Sequence, residues 1–373
     1  MPVFCFQRLS QRQLPLAVAL PVLLCCANVC SDDSSPDVND IVSGVGDQAI
    51  RKDGVTGLVI GVARKDSIPI LQAFGSADVE HDTAVSPQTV FRIGSLTKQF
   101  TAAAVLLLAE EGRLHPDDPL KKHLPDCPAP ANSVTLRQLL QHTSGLRDFT
   151  RLPNYRFDRQ TDVSADEVLK RFISLPPDFA PGTRHQYCNS GYFLLGLVIE
   201  KVSGKSYREF IEERLLKPAG MKQSLCDDPY RIVPRRASGY SRWGGKLRNA
   251  SYVSLKQSVG AGNMAATAGD LLLWQQALID HRVLSKESFQ QMITKGRLNN
   301  EREFAYGMGV HIRQSIGKPV IRHAGGISGF RSDLAWYPES GFIIVVLANC
   351  DFAKTQKISD NIARRLHTSL PAP

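Results

Sequence analysis

None of the nine histidines sits at His-x-x-x-His or a comparable ligand spacing, so no metal site is expected. There is no glycine-rich phosphate loop to cradle a nucleotide, and no cofactor is expected. Lysine and arginine never form a dense run. Arg231, Arg235 and Arg236 are the main cluster, so the formal charge of +9 does not imply a nucleic-acid partner. Internal repeats and long low-complexity tracts are also missing. The apolar stretch from Leu14 to Leu24 falls short of the roughly 20 residues that a membrane-spanning helix needs.

That stretch has another reading. Arg8 and Arg12 are the only charges among the first thirty residues, and small residues follow the apolar run, which is the pattern of a secretory signal. Residues 1–31 are therefore expected to be a signal peptide and the start of a flexible N-terminus, cleaved after Ala27 or Ser31. The polar run Ser31 to Asp40 would continue that flexible lead. The expected location is periplasmic or secreted. Cys25, Cys26 and Cys30 raise a lipid anchor as the lesser alternative, since none follows Gly, Ala or Ser; membrane association is expected only if this segment is retained or lipidated. Removing Arg8 and Arg12 lowers the charge to +7. Cys127, Cys188, Cys226 and Cys350 remain, and spacing does not choose among their three full pairings. Cys350, ending an apolar strand, is expected to be buried and unpaired.

Hydrophobic periodicity places strands at both ends of the chain. Gly57–Arg64 and Ile68–Phe74 read as a hairpin broken at Lys65-Asp66, and strands return at Phe304–Arg313, Pro319–Ala324, Ser332–Tyr337 and Phe342–Asn349. Ser315-Ile316-Gly317-Lys318 reads as a turn between two of them. From Pro116 to about Leu284 the pattern is helical and punctuated by prolines, with caps such as Ser206 followed by Glu209. A closing helix carries Ile358, Ile362 and Leu366 on one face. These observations predict an α+β fold in which one antiparallel sheet, with flanking helices, is built from both chain ends around a mostly helical inserted domain. The predicted boundaries are 32–114 for the first part of the sheet domain, 115–300 for the helical domain and 301–373 for the second part. A site is expected where they meet.

Three short motifs supply candidate chemistry for that junction. Ser95-Leu96-Thr97-Lys98 opens an apolar helix that runs through Phe100, Ala103, Ala104, Leu107 and Leu108 to Gly112. Residues three apart on a helix lie about 5 to 6 Å apart at Cβ, so the Lys98 amine can reach the Ser95 hydroxyl and make it a nucleophile. Tyr187-Cys188-Asn189 falls in a polar loop before a second apolar helix, Tyr192 to Val202, closed by Gly204. Tyr187 is a candidate proton shuttle if nearby cations lower its pKa from the ordinary ~10. Asn189 offers a donor and an acceptor to a substrate amide; the bland alternative is a helix cap, which Ser190 could supply equally well. His323-Ala324-Gly325 ends a strand, where Gly325 and Gly326 would let a substrate backbone approach the strand edge.

Taken in this order, the motifs resemble the serine β-lactamase and penicillin-binding protein superfamily, in its class C β-lactamase, DD-peptidase and esterase branch. The segments Leu139–Leu146, Tyr306–Gly309 and Val346–Asn349 look like connecting segments of the same branch. The resemblance implies that Ser95 is the acylated nucleophile and that Lys98 and Tyr187 are the base and proton shuttle. It further implies that Asn189 and Gly325 bind substrate and that His323 helps steer substrate or tunes Tyr187, with backbone N–H groups of Ser95 and Gly326 forming the oxyanion hole. The implied function is an exported hydrolase of ester, D-amino-acid peptide or β-lactam carbonyls, acting on a small molecule or a cell-wall peptide. A catalytically idle sensor or scaffold that binds such molecules is the alternative. Class C β-lactamases carry lysine where this chain has His323. A histidine there predicts weak attraction for a substrate carboxylate and slow nitrocefin turnover that improves as pH falls towards 6. Cys188 is expected to be inert packing.

Overall fold

A computed structural model describes residues 37–369, except 66, 130 and 229. The expected signal segment lies outside the described residues. Among those described, no helix is long and apolar enough to cross a membrane.

Seven strands form one antiparallel sheet: β1 (Gly57–Ala63), β2 (Ile70–Asp78), β3 (Thr83–Ala84), β4 (His311–Ser315), β5 (Lys318–Ile327), β6 (Phe330–Tyr337) and β7 (Phe342–Ala348), in the order β4-β5-β6-β7-β1-β2-β3. Strands from the two chain ends meet at the centre, where Ile60 pairs with Val346. The central strands are apolar at nearly every position because both their faces are covered. In β7, Phe342, Ile344, Val346 and Ala348 join one core with Leu58, Ile60 and Val62, while Ile343, Val345 and Leu347 join the other.

Helices α1 (Val38–Arg51) and α5 (Thr355–Ser369) cover the first face through Ile41, Val42, Val45, Ile358, Ile362 and Leu366. Helix α1 corrects the expectation of a flexible lead up to Asp40: Asp37 caps it by accepting the Asn39 N–H, and its apolar residues recur at helical spacing. Helices α2 (Thr97–Glu110) and α4 (Ala268–Ile279) lie on the second face, and α3 (Asn189–Ser203) packs against α2.

Other local expectations change too. Helix α3 begins at Asn189, three residues earlier than Tyr192. The stretch between Pro116 and Leu284 includes short helices, among them one with the Ser206–Glu209 capping box, but also a hairpin of Tyr240–Trp243 with Lys246–Asn249. Gly244 and Gly245 turn that hairpin at positive φ. Its second strand is exposed throughout, so no buried face marks it in the sequence. Phe304–Arg313 is not one strand: the chain bends through Tyr306–Gly309, with Gly309 at φ +77, and β4 starts at His311. Cys127, Cys188, Cys226 and Cys350 are all free and buried, as expected for Cys350.

Candidate active site

A tight turn, Gly94–Leu96, leads into α2 and leaves Ser95 half-exposed. Gly94 adopts φ +51, and a Cβ there would lie 2.9 Å from the Gly326 nitrogen, so glycine permits both the turn and its approach to β5. The Ser332 hydroxyl holds the same turn by donating to the Ile93 carbonyl at 2.7 Å. One helical turn on from Ser95, Lys98 is fully buried. Its ammonium reaches the Ser95 Oγ at 3.3 Å, the Asn189 Oδ1 at 2.9 Å and the Ala261 carbonyl at 2.8 Å. Its Nζ also lies 4.8 Å from the centre of the Tyr187 ring. The structure thus brings together the four residues that spacing singled out.

Burial penalises the charged amine and lowers the Lys98 pKa to about 7, although Asp148 pulls the other way. Burial acts in the opposite sense on Tyr187, raising the phenol well above its ordinary range, with Ser95 beside it opposing. The condition set for Tyr187, a pKa lowered by cations, is not met. Its hydroxyl oxygen is buried and faces Ser95 without a well-formed hydrogen bond. Near neutral pH the neutral amine of Lys98 is therefore accessible, whereas burial favours the protonated phenol of Tyr187.

Asn189 opens α3 and is not a loop residue. Its Oδ1 accepts from Lys98, and its Nδ2 donates to Asp148 Oδ2 at 3.2 Å and Thr150 Oγ1 at 3.0 Å. A carboxylate only accepts, so the amide nitrogen faces Asp148 and the amide oxygen faces Lys98. Both amide hydrogens are therefore taken by protein, which corrects the expectation that Asn189 offers a free donor to substrate. Nor is it the cap, which falls at Cys188 without a side-chain bond. Ser190 instead fastens the neighbouring loop, donating to the Arg147 carbonyl and accepting the Phe149 N–H. Asp148 and Thr150 escaped the sequence reading because they are brought to Asn189 from about forty residues away.

His323 and Gly325 are both buried and neither lines the cleft in front of Ser95. Gly325 is buried, and a Cβ there would collide with the Ile93 carbonyl oxygen, so its lack of a side chain serves packing of the chain on itself. Gly326 is exposed and borders the cleft with Ser95. His323 is 1% exposed, and burial holds its pKa well below the ordinary value, with His311 and Lys98 acting in the same direction. Burial thus disfavours the expected gain of a positive charge near pH 6. Its ring centre is 6.2 Å from that of Tyr187, so it lies behind the phenol.

His323 ends a chain of hydrogen bonds. The Cys188 N–H donates to His142 Nδ1 (3.2 Å), so the His142 proton is on Nε2, facing the Tyr306 hydroxyl at 3.2 Å. Tyr306 in turn lies 3.2 Å from His323 Nε2, and His323 Nδ1 faces the Ala324 carbonyl at 2.7 Å. A carbonyl only accepts, so His323 is protonated at Nδ1 and Tyr306 donates to its Nε2. Every link is filled when both histidines are neutral. Cys188 itself is buried, donates to the Leu146 carbonyl, and has its thiol pKa pushed up to about 12 by burial; it is inert packing, as expected.

The cleft in front of Ser95 has a volume of about 250 Å³ and is walled by Phe149, Tyr155, Val253 and Ile327, with Tyr187, Asn189 and Gly326 around the serine. A larger cavity of about 540 Å³, against Leu71 and Leu272, holds none of the motif residues.

A family model described as Beta-lactamase matches residues 40–369. PbpX of Bacillus subtilis (strain 168) is 31% identical over 298 residues, covering 80% of this chain and 71% of its own. Penicillin-binding protein 4* of the same strain is 30% identical over 294 residues, covering 74% of this chain and 64% of its own, so the chain spans about two thirds of the length of these curated relatives. Among solved structures, D-amino acid amidase from Ochrobactrum anthropi SV3 superposes with a TM-score of 0.79 at 26% identity, over 90% of this chain and 99% of that one.

Proposed function

The chain belongs to the Beta-lactamase family, and on that premise we propose that it is an exported serine hydrolase that forms an acyl-enzyme on Ser95. The observation that carries this reading is the Lys98 amine, 3.3 Å from the Ser95 hydroxyl and with its pKa brought down to about 7. A neutral amine at that distance accepts the hydroxyl proton as Oγ attacks a carbonyl. The developing oxyanion is received by the N–H groups of Ser95 and Gly326, each such donor contributing roughly 3 kcal/mol to the transition state. The positive end of α2 adds to it. Tyr187, kept protonated by burial, delivers its proton to the leaving atom and regains one from Lys98, so in net one proton passes from serine to the leaving group. Water then releases the acyl group by the reverse route, restoring the serine. Asn189, locked by Asp148 and Thr150, holds Lys98 in place.

The proposed substrates are short esters and D-amino-acid amides or peptides, in preference to cephalosporins. Two observations support this preference: the named activity of the Ochrobactrum amidase, and the buried neutral His323 where class C β-lactamases present a charged lysine. Export is proposed from the signal-like segment around Leu14–Leu24.

The test is intact-protein mass spectrometry with a fluorophosphonate or a labelled penicillin, alongside p-nitrophenyl acetate turnover. Adduct at Ser95, with labelling and turnover both lost in Ser95→Ala, is the expected result. An adduct on another residue, or unchanged turnover by Ser95→Ala, would sink the assignment. Labelling of Ser95 without turnover would turn the reading to a binding protein.

A further inference from the structure

One charged group on the cleft wall takes no part in this acyl transfer. Among the described lining residues, Arg159 is the only one that is ionised at every physiological pH. It follows the short helix Tyr155–Asp158. Its backbone N–H donates to the Tyr155 carbonyl at 2.9 Å, and its carbonyl accepts the Ser254 N–H at 2.7 Å, so its main chain is pinned between two segments that border the cleft.

Among the described residues no carboxylate pairs with its side chain. Asp158, next to it in sequence, faces Arg171 at 4.0 Å. The Arg159 Nε is buried and has no hydrogen-bond partner. A buried N–H is normally paired, and a guanidinium is shaped to pair with a carboxylate through two parallel bonds. Beside it the wall is apolar, made by Phe149, Tyr155, Val253 and Ile327. That lining suits a carbon chain running between the reacting carbonyl and an anionic group.

We propose that Arg159 is a specificity-determining residue that binds a substrate carboxylate, so that the site acts on esters or amides carrying an anionic group at the end of an apolar chain. The inference rests on the acyl-enzyme reading and names its substrate class. The anion is bound by Arg159 and not by His323 of β5, which is buried and neutral. A carboxylate that depends on a cation at β5 gains nothing from this arrangement, which distinguishes these substrates from cephalosporins.

The experiment compares kcat/KM for two matched ester pairs, with uncatalysed hydrolysis subtracted. One pair places the charge on the acyl side: mono-p-nitrophenyl adipate against p-nitrophenyl hexanoate. The other places it on the leaving group: 3-carboxyphenyl hexanoate against phenyl hexanoate. A charge-assisted contact predicts a preference of about 10- to 100-fold for the anionic member of one pair. In Arg159→Gln that ratio falls towards one, Arg159→Lys retains part of it, and Arg159→Glu shifts it towards p-nitrophenyl 6-aminohexanoate. A ratio within one enzyme is insensitive to how much of a variant folds. If Ser95 is acylated and the esters turn over, but neither pair shows a preference, or Arg159→Gln keeps the full preference, this inference is overturned while the acyl-enzyme reading stands. No turnover of any ester and no adduct on Ser95 overturns both.

Discussion

Two clusters of buried polar side chains lie back to back in this protein. In front, around Ser95, groups are left open to change: an amine whose pKa burial brings down to about 7, a phenol without a well-formed hydrogen bond, an arginine Nε with none among the described residues. Behind, from Cys188 through His142 and Tyr306 to His323, each donor has an acceptor and each acceptor a donor. The two meet at Tyr187, whose ring centre is 4.3 Å from that of His142. Similar residue types and similar burial therefore yield opposite properties. A filled network resists change of protonation, whereas an unfilled one is poised for a ligand or a proton.

The largest effect is expected from removing the base at the front. Lys98→Met should lower ester kcat/KM by about 10²- to 10⁴-fold, the range of general base catalysis, with the protein still folded by circular dichroism. A loss under tenfold would show that Tyr187 takes the serine proton unaided.

Breaking the rear cluster should act on stability more than on chemistry. Tyr306→Phe leaves the His142 Nε2–H and the His323 Nε2 without partners, which costs about 2 to 4 kcal/mol. The urea midpoint should fall accordingly, while ester turnover at 25 °C changes less than tenfold. A large drop in turnover with an unchanged midpoint would place the rear cluster in the reaction.

The smallest effect sharpens the border between the clusters. The competent form of Lys98 is the neutral amine, so kcat/KM should rise with pH through about 7 and stay level towards pH 10, because the Tyr187 phenol is held above its ordinary range. Asp148 favours the charged amine, so Asp148→Asn lowers the Lys98 pKa further and should move the acid limb to lower pH. A limb that stays in place would mean that another group controls it. Protonation of His323 should add no rise near pH 6, since its pKa lies well below that range.

Much of this was legible along the chain because it depends on local rules. Ser95 and Lys98 share a helix face whatever surrounds them. Strands β1 and β7 announce two covered faces by being apolar throughout, and the Ile358, Ile362, Leu366 stripe marks α5. The Tyr240–Asn249 hairpin and helix α1 were less visible: the first buries little, and the second follows directly on a polar run. Asp148, Thr150 and Arg159 carry no local signature, because what singles them out is where the folded chain brings them.

By itself, then, the sequence determined the order of the motifs, the sheet drawn from both chain ends and the pairing of a nucleophile with an amine three residues on, all consequences of backbone periodicity. Tertiary structure alone decided the chemical state of those groups. Whether Lys98 is neutral, whether Asn189 has a free hydrogen, whether His323 can carry charge and whether Arg159 has a partner depend on desolvation and on contacts between residues far apart in the chain, and both come into being only when the core closes around them.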